Sequence, residues 1–175
     1  PRAAAPDAAS SASEAANNAA AADGYELGKP RVYAPAEIQD YQGTRLAPAS
    51  AYPDLGIDGT KVIDPGKWRL EVTGLVARPL GLAYPEVLAL PQAQKLVTLH
   101  CVEGWAETSL WSGPALDELL ETAGPLPGAT TVVFEAADGY STSLPLALVR
   151  DLHLILGARI NGIELPPARG FPLRL

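Results

Sequence analysis

The chemistry of this chain centres on its only cysteine, Cys101, in the run Leu99-His100-Cys101-Val102-Glu103-Gly104-Trp105. A lone cysteine makes no internal disulfide. It serves either as a small buried hydrophobe or as a thiolate, a nucleophile or a metal ligand. Lys95 to Cys101 alternates as a strand does, with Val97, Leu99 and Cys101 on one face, and Glu103-Gly104 ends it. A thiol at a strand end, beside a loop carrying a carboxylate and Trp105, is well placed to build a site. Glu103 reads as a surface or hairpin polar residue, or as a carboxylate near a metal centre that modulates protonation. His100 points to the opposite face from Cys101, so the two form a poor nucleophile–base pair. His153 reads as a solvated or capping residue, and most remaining carboxylates are expected to face solvent. One Cys and two His do not assemble a structural zinc site by themselves. The chain has no Gly-rich phosphate loop between a strand and a helix, which argues against a nucleotide-binding fold.

The elements that must position Cys101 are short. Trp68, Leu70 and Val72 alternate with polar residues as a half-buried strand closed by Gly74. Tyr84 to Leu90 reads as a brief helix, with Pro85 in its first turn and Pro91 stopping it. Pro114 to Ala123 is the clearest helix: Leu116, Leu119, Leu120 and Ala123 share a face, and Gly124 terminates it. Thr130–Ala136 and Tyr140–Leu144 are expected strands about the Asp138-Gly139 turn. Pro145–Asp151 has room for one or two helical turns. Leu154–Ile160 and Ile163–Leu165 are expected strands about Asn161-Gly162, and Phe171–Leu175 is expected to start another. Strands dominate, so the expected class is α+β with mixed, mostly antiparallel sheets and short helices.

The 175 residues accommodate one domain and a tail, and 47% hydrophobic residues suffice for a core. A net charge of -7 argues against nucleic acid and against an anionic membrane surface. No apolar run reaches transmembrane length, and the first residues lack the apolar stretch of a signal peptide. Pro1 to Ala22 is Ala-rich and has no large apolar residue. Residues 1–24 are therefore expected to be a low-complexity disordered leader or linker, and residues 25–175 the domain. Gly24 to Pro65 is loop-like, and reads equally as a functional segment or as an arm packed on the domain.

Several segments occur in a telling order. They are Trp68-x-Leu70-x-Val72-x-Gly74-Leu75-Val76, Pro79-Leu80, Leu90-Pro91, the Thr98–Trp105 run and Trp111-Ser112-Gly113. Asp138–Leu146, Asn161-Gly162 and Arg169-Gly170-Phe171-Pro172-Leu173-Arg174-Leu175 follow. From about Ile38 to Leu175 the chain resembles the molybdopterin-binding domain of the sulfite oxidase family. It is nearer the bacterial branch, which includes the periplasmic methionine-sulfoxide reductase catalytic subunit.

The resemblance implies the sulfite-oxidase-type fold and a molybdenum–molybdopterin cofactor, with Cys101 as the thiolate ligand of the metal and the pterin supplying two more sulfurs. It implies oxygen-atom transfer on a small sulfur or oxyanion substrate. Electrons would be exchanged with a haem, quinone-linked or membrane partner, in a periplasmic or otherwise exported setting. Glu103 matches the acid two residues after the cysteine in the reductase branch, which gives it a catalytic, tuning role. Arg174 matches the family's Pro-x-Arg motif, whose arginine lies against the pterin phosphate. Arg169 stands where relatives carry His or Asn lining the pterin. Tyr140 and Ser141 lie where relatives line the cofactor pocket. Relatives continue beyond this point with a Pro-Gly strand and a Gly-Tyr-Lys-Trp segment, so the domain is expected to lack its C-terminal part. Two other readings stay open: a non-catalytic binding or assembly module that keeps the fold, and a thiol-redox protein using Cys101 without metal.

Overall fold

A computed structural model describes residues 32–50, 59–101, 104 and 106–175. The expected leader, residues 1–24, lies outside the described residues, as do Val102, Glu103 and Trp105.

The centre of the fold is a four-stranded antiparallel sheet in the order β10-β9-β6-β5. It contains β5 (Gln92–His100), β6 (Ala106–Pro114), β9 (Arg159–Ile160) and β10 (Ile163–Glu164). The long pair β5 and β6 is in register from Gln92 opposite Pro114 to His100 opposite Ala106. β6 is the buried spine of the sheet, with almost every residue shielded from solvent. The sequence Ala-Glu-Thr-Ser-Leu-Trp-Ser-Gly-Pro does not alternate in polarity, and it was not expected to be a strand. It is one because both neighbours and both faces are covered, which is where alternation disappears.

Three two-stranded antiparallel ribbons surround this sheet. They pair β1 (Asp40–Tyr41) with β2 (Thr44–Arg45), β3 (Arg69–Val72) with β4 (Leu80–Ala83), and β7 (Thr131–Glu135) with β8 (Ser141–Pro145). The helices among the described residues are α1 (Tyr84–Leu88), α2 (Leu116–Ala123) and α3 (Leu146–Asp151), followed by a 3-10 turn at Pro167–Arg169. The Glu86 carboxylate accepts the Ala83 N–H at 2.7 Å and closes the start of α1. α2 begins two residues later than the Pro114 start read from sequence, because Pro114 closes β6 and Ala115 becomes the N-cap. It ends as expected, with Gly124 left-handed at φ 66° and its N–H bonded to Leu120 O at 2.8 Å.

The α+β, mostly antiparallel expectation holds. Within it, Leu154–Ile160 forms a regular strand only at Arg159–Ile160, yet the whole segment follows β6. Leu154 O accepts from Leu116 N at 2.8 Å, Leu156 N donates to Pro114 O at 2.9 Å, and Ala158 N donates to Ser112 O at 2.9 Å. The backbones run so close at Gly113 that a Cβ there would collide with the Leu156 carbonyl, so the position admits only glycine. The strand expected at Phe171–Leu175 does not form. Pro172 supplies no ladder donor, and the segment leaves the Pro167–Arg169 turn through left-handed Gly170. Only Arg174 pairs, bridging to Gly157.

The main core gathers Leu116, Leu119 and Leu120 of α2, Leu146 and Val149 of α3, and Leu156, with Phe134 and Leu144 of the β7–β8 ribbon against them. A smaller core of Ala49, Trp111, Ile160 and Leu165 lies on the central sheet. The arm at residues 32–50 is packed onto that sheet by buried polar groups. Glu37 Oε1 accepts from Ala49 N at 2.6 Å and from Asn161 Nδ2 at 2.8 Å. Asn161 Nδ2 also donates to Ala47 O at 2.8 Å, and its Oδ1 accepts the Leu110 N–H at 3.0 Å. For these residues the packed-arm reading of Gly24–Pro65 is the one observed.

Candidate functional site

Cross-strand register decides what shares a face. Leu99 stands opposite Glu107, Val97 opposite Ser109, and Lys95 opposite Trp111. Directly opposed residues lie on the same side of a sheet. This face of β5 and β6 thus carries an apolar row beside Glu107, Ser109 and Trp111. Cys101 lies one residue past the end of β5, and the strand's alternation carried that far puts it on this face. It stands two residues beyond Leu99, about 7 Å along the strand direction. Its carbonyl accepts the Gly104 N–H at 3.1 Å, and Gly104 has φ 88°. Cys101 is half-buried.

Two arginines of the C-terminal loop meet this face. The Arg169 guanidinium is ion-paired with the Glu107 carboxylate, and both side chains are 2% exposed. Arg174 lies over the Trp111 ring, with its guanidinium carbon 5.5 Å from the ring centroid. Its backbone bonds to Gly157 in both directions, N to O at 2.9 Å and O from N at 2.6 Å. Gly157 is pressed on the same indole: a Cβ there would be 2.8 Å from a Trp111 ring carbon. Burial and the neighbouring Arg169 cation push the Arg174 guanidinium below its ordinary value, and the Glu107 carboxylate pulls it back up. The two arginines and Glu107 therefore form one electrostatic cluster. Beside it lies a groove of about 200 Å³, lined by Val97, Leu99, Trp111, Ile155 and Arg174 among others. Within the same face Ser109 is fully buried, and its Oγ makes no hydrogen bond among the described residues.

The structure brings together Arg169 and Arg174, and Cys101 follows β5 by one residue. Tyr140 and Ser141 belong to the β7–β8 ribbon, where both are solvent-exposed, and the Tyr140 N–H bonds to Asp138 Oδ1 at 3.0 Å. Glu103 lies outside the described residues. His153 is exposed, as its solvated reading expects, and its Nδ1 lies 2.9 Å from Asp117 Oδ2. Glu107 escaped the sequence reading, which expected carboxylates of this kind to face solvent. Its partner is 62 residues away, and nothing local to β6 announces the pair. The one available signal was its place six residues after the cysteine, within a run ending at Trp111-Ser112-Gly113.

The donor set bears on what metal chemistry suits this face. No cluster of three or more His, Cys, Asp and Glu side chains capable of holding a metal occurs among the described residues. A metal held at Cys101 would take one thiolate from the described residues, which suits a group that brings other donors of its own. Two clustered arginines suit the anionic part of such a ligand. The residues present fit a metal–pterin group that carries its own sulfurs and a phosphate.

A family model described as the oxidoreductase molybdopterin binding domain matches residues 58–175. The chain is 36% identical over 132 residues to the putative protein-methionine-sulfoxide reductase subunit YedZ1 of Azospira oryzae, covering 75% of this chain and 50% of that protein. It is 37% identical over 112 residues to the uncharacterized oxidoreductase YuiH of Bacillus subtilis, covering 63% and 57%. The chain thus spans about half the length of these curated relatives. Among solved structures, the sulfane dehydrogenase SoxCD from Paracoccus pantotrophus superposes with a TM-score of 0.63 at 21% identity, over 86% of this chain and 43% of that one. The likeness identifies the fold as that of the sulfite-oxidase type.

Proposed function

Because this chain belongs to the oxidoreductase molybdopterin-binding domain family, we propose that it forms the cofactor-binding part of a molybdenum–pterin oxidoreductase. Cys101 supplies the protein thiolate to the metal. Arg174 faces the pterin phosphate, with Arg169 behind it. Glu103 tunes protonation beside the metal. The bound group supplies two-electron oxygen-atom transfer coupled to single-electron exchange. The polypeptide holds that group, sets the charge around it and keeps water from one side of it.

The observation that supports this reading is the only cysteine one residue past β5, on the strand whose partner β6 carries the arginine–glutamate pair. Thiolate and cations are soft donor and anion clamp respectively, and a metal–pterin phosphate needs both. The substrate class is a small sulfur compound or oxyanion. The names of two similar proteins, a methionine-sulfoxide reductase subunit and a sulfane dehydrogenase, support the sulfur side of that class. The electron partner is a haem or quinone-linked protein, and the setting is periplasmic or otherwise exported.

The test is molybdenum content by elemental analysis of the natural full-length protein, wild type beside Cys101→Ser. Near-stoichiometric metal in the wild type that falls by at least about tenfold in the variant is expected for a first-sphere ligand. Metal absent from a folded wild type made in a molybdopterin-producing host defeats the reading. The domain then stands as a binding or assembly module of the same fold.

A further inference from the structure

We infer that Glu107 is a positioning residue: through Arg169 it ties down the C-terminal loop and so seats Arg174 over Trp111. The inference rests on the proposal that Arg174 is the cation that meets the cofactor phosphate.

The loop is attached to β6 at two points. At one end Arg169 closes the Pro167–Arg169 turn, with its N–H on Pro166 O at 2.8 Å, and its guanidinium enters the sheet face to pair with Glu107. At the other end Arg174 bridges to Gly157 and lies on Trp111. Glu107 and Trp111 are on the same face of β6, four residues apart, which is about 14 Å of strand. The loop between the two arginines spans that interval. It leaves Arg169 through Gly170, left-handed at φ 97°. The Arg174 stem lies against this glycine, since a Cβ on Gly170 would be 3.5 Å from Arg174 Cβ and 3.7 Å from its Cδ. Movement of Arg169 therefore reaches Arg174 through one packed backbone turn.

Electrostatics points the same way. Two guanidiniums in one partly dry cluster repel, and the Glu107 carboxylate is the group that offsets this repulsion at Arg174. A buried ion pair is a poor source of stability, because an apolar pair of similar volume packs as well without desolvating two charges. A carboxylate retained here is better explained by what it orients. It also fixes a division of labour. Arg169, 2% exposed and committed to Glu107, is an internal strut, while Arg174 is the cation at the groove.

The experiment compares Glu107→Gln with wild type and reads Arg174 directly. Phenylglyoxal modification is followed by peptide mass mapping, with exposed Arg159 as internal reference. The Arg174-to-Arg159 ratio is expected to rise about threefold in Glu107→Gln, as the loop gains an open population. An unchanged ratio in the folded variant overturns the inference, since a purely structural role would move the melting curve and leave that ratio alone. Should Glu107→Gln fail to fold, Glu107→Leu combined with Arg169→Met removes both charges without stranding either. The ratio is expected to rise in that variant also, and an unchanged ratio there overturns the inference equally. Inorganic phosphate is added to wild type in parallel. Protection of Arg174 bears on its phosphate-binding role alone, so the tether and the cofactor reading fail separately.

Discussion

Single side chains on this domain act through burial more than through local sequence. Cys101, Arg169 and Arg174 could be singled out from the chain because their residue types and motif positions suggest metal and phosphate chemistry. Glu107 could not, because a glutamate in an uncharted segment reads as solvated until its distant partner is known. Tyr84 is a similar case. Its ring is buried between Trp68 and Phe171, edge-on to both at 6.2 and 5.5 Å. Burial, then the Glu164 carboxylate that accepts its hydroxyl at 3.4 Å, raise the phenol above its ordinary value of 10.0. The unfolded chain then releases this proton at lower pH than the folded one. Stability from this group is whole below pH 10 and declines as pH rises from there through the folded value. Urea midpoints at pH values on either side of that point should fall more steeply for wild type than for Tyr84→Phe, and parallel falls would refute the assignment.

At the scale of elements, the parts with local signals were legible and the part with tertiary causes was not. The α2 face of Leu116, Leu119 and Leu120, the Gly124 cap and the turns at Asp138-Gly139 and Asn161-Gly162 all follow from periodicity and turn chemistry. β6 was missed, although it is the spine of the sheet. Its Glu107, Thr108, Ser109 and Ser112 look like loop residues, and only the strands and arm that cover them make them internal. The final strand was over-read, because an apolar run with a proline in it turns back on Gly157 instead of extending. The arm at residues 32–50 supplies the prediction at this scale. Asn161→Ala strips the Leu110 N–H, the Ala47 carbonyl and the Glu37 carboxylate of a buried partner at once. It should cost about 3 kcal/mol or more. Limited proteolysis should then cut within residues 32–50 well before the rest of the domain, and uniform cleavage would show that the arm is held by other means.

Across the whole molecule, stability and chemistry are centred on different elements that meet at one seam. The leucine core is built on α2, α3 and the β7–β8 ribbon and touches the arginine loop at Leu173, whereas the arginines lie on the central sheet. Leu119→Ala, which empties a side chain 1% exposed, should cost about 2–5 kcal/mol in chemical denaturation. Molybdenum per folded protein should stay at the wild-type level in that variant, and a parallel loss of metal would show that the two regions are coupled. Charge is divided in the same way. The chain is net negative by 7, yet with Arg169 neutralised by Glu107 the groove still carries Arg174 and Lys95. A cationic patch in an anionic molecule draws small anions to one place and repels them elsewhere.

Trp111 packs against both Gly157 and the Arg174 guanidinium, and it is 8% exposed. An indole with a fixed charge above one face and backbone against its ring is an optical gauge that the protein carries without any label. Its near-ultraviolet dichroism reports the asymmetry of that seat, and its emission reports the dryness of the seat. Taken as the difference from Trp111→Phe, so that Trp68 and Trp105 cancel, both signals should change when the loop lifts.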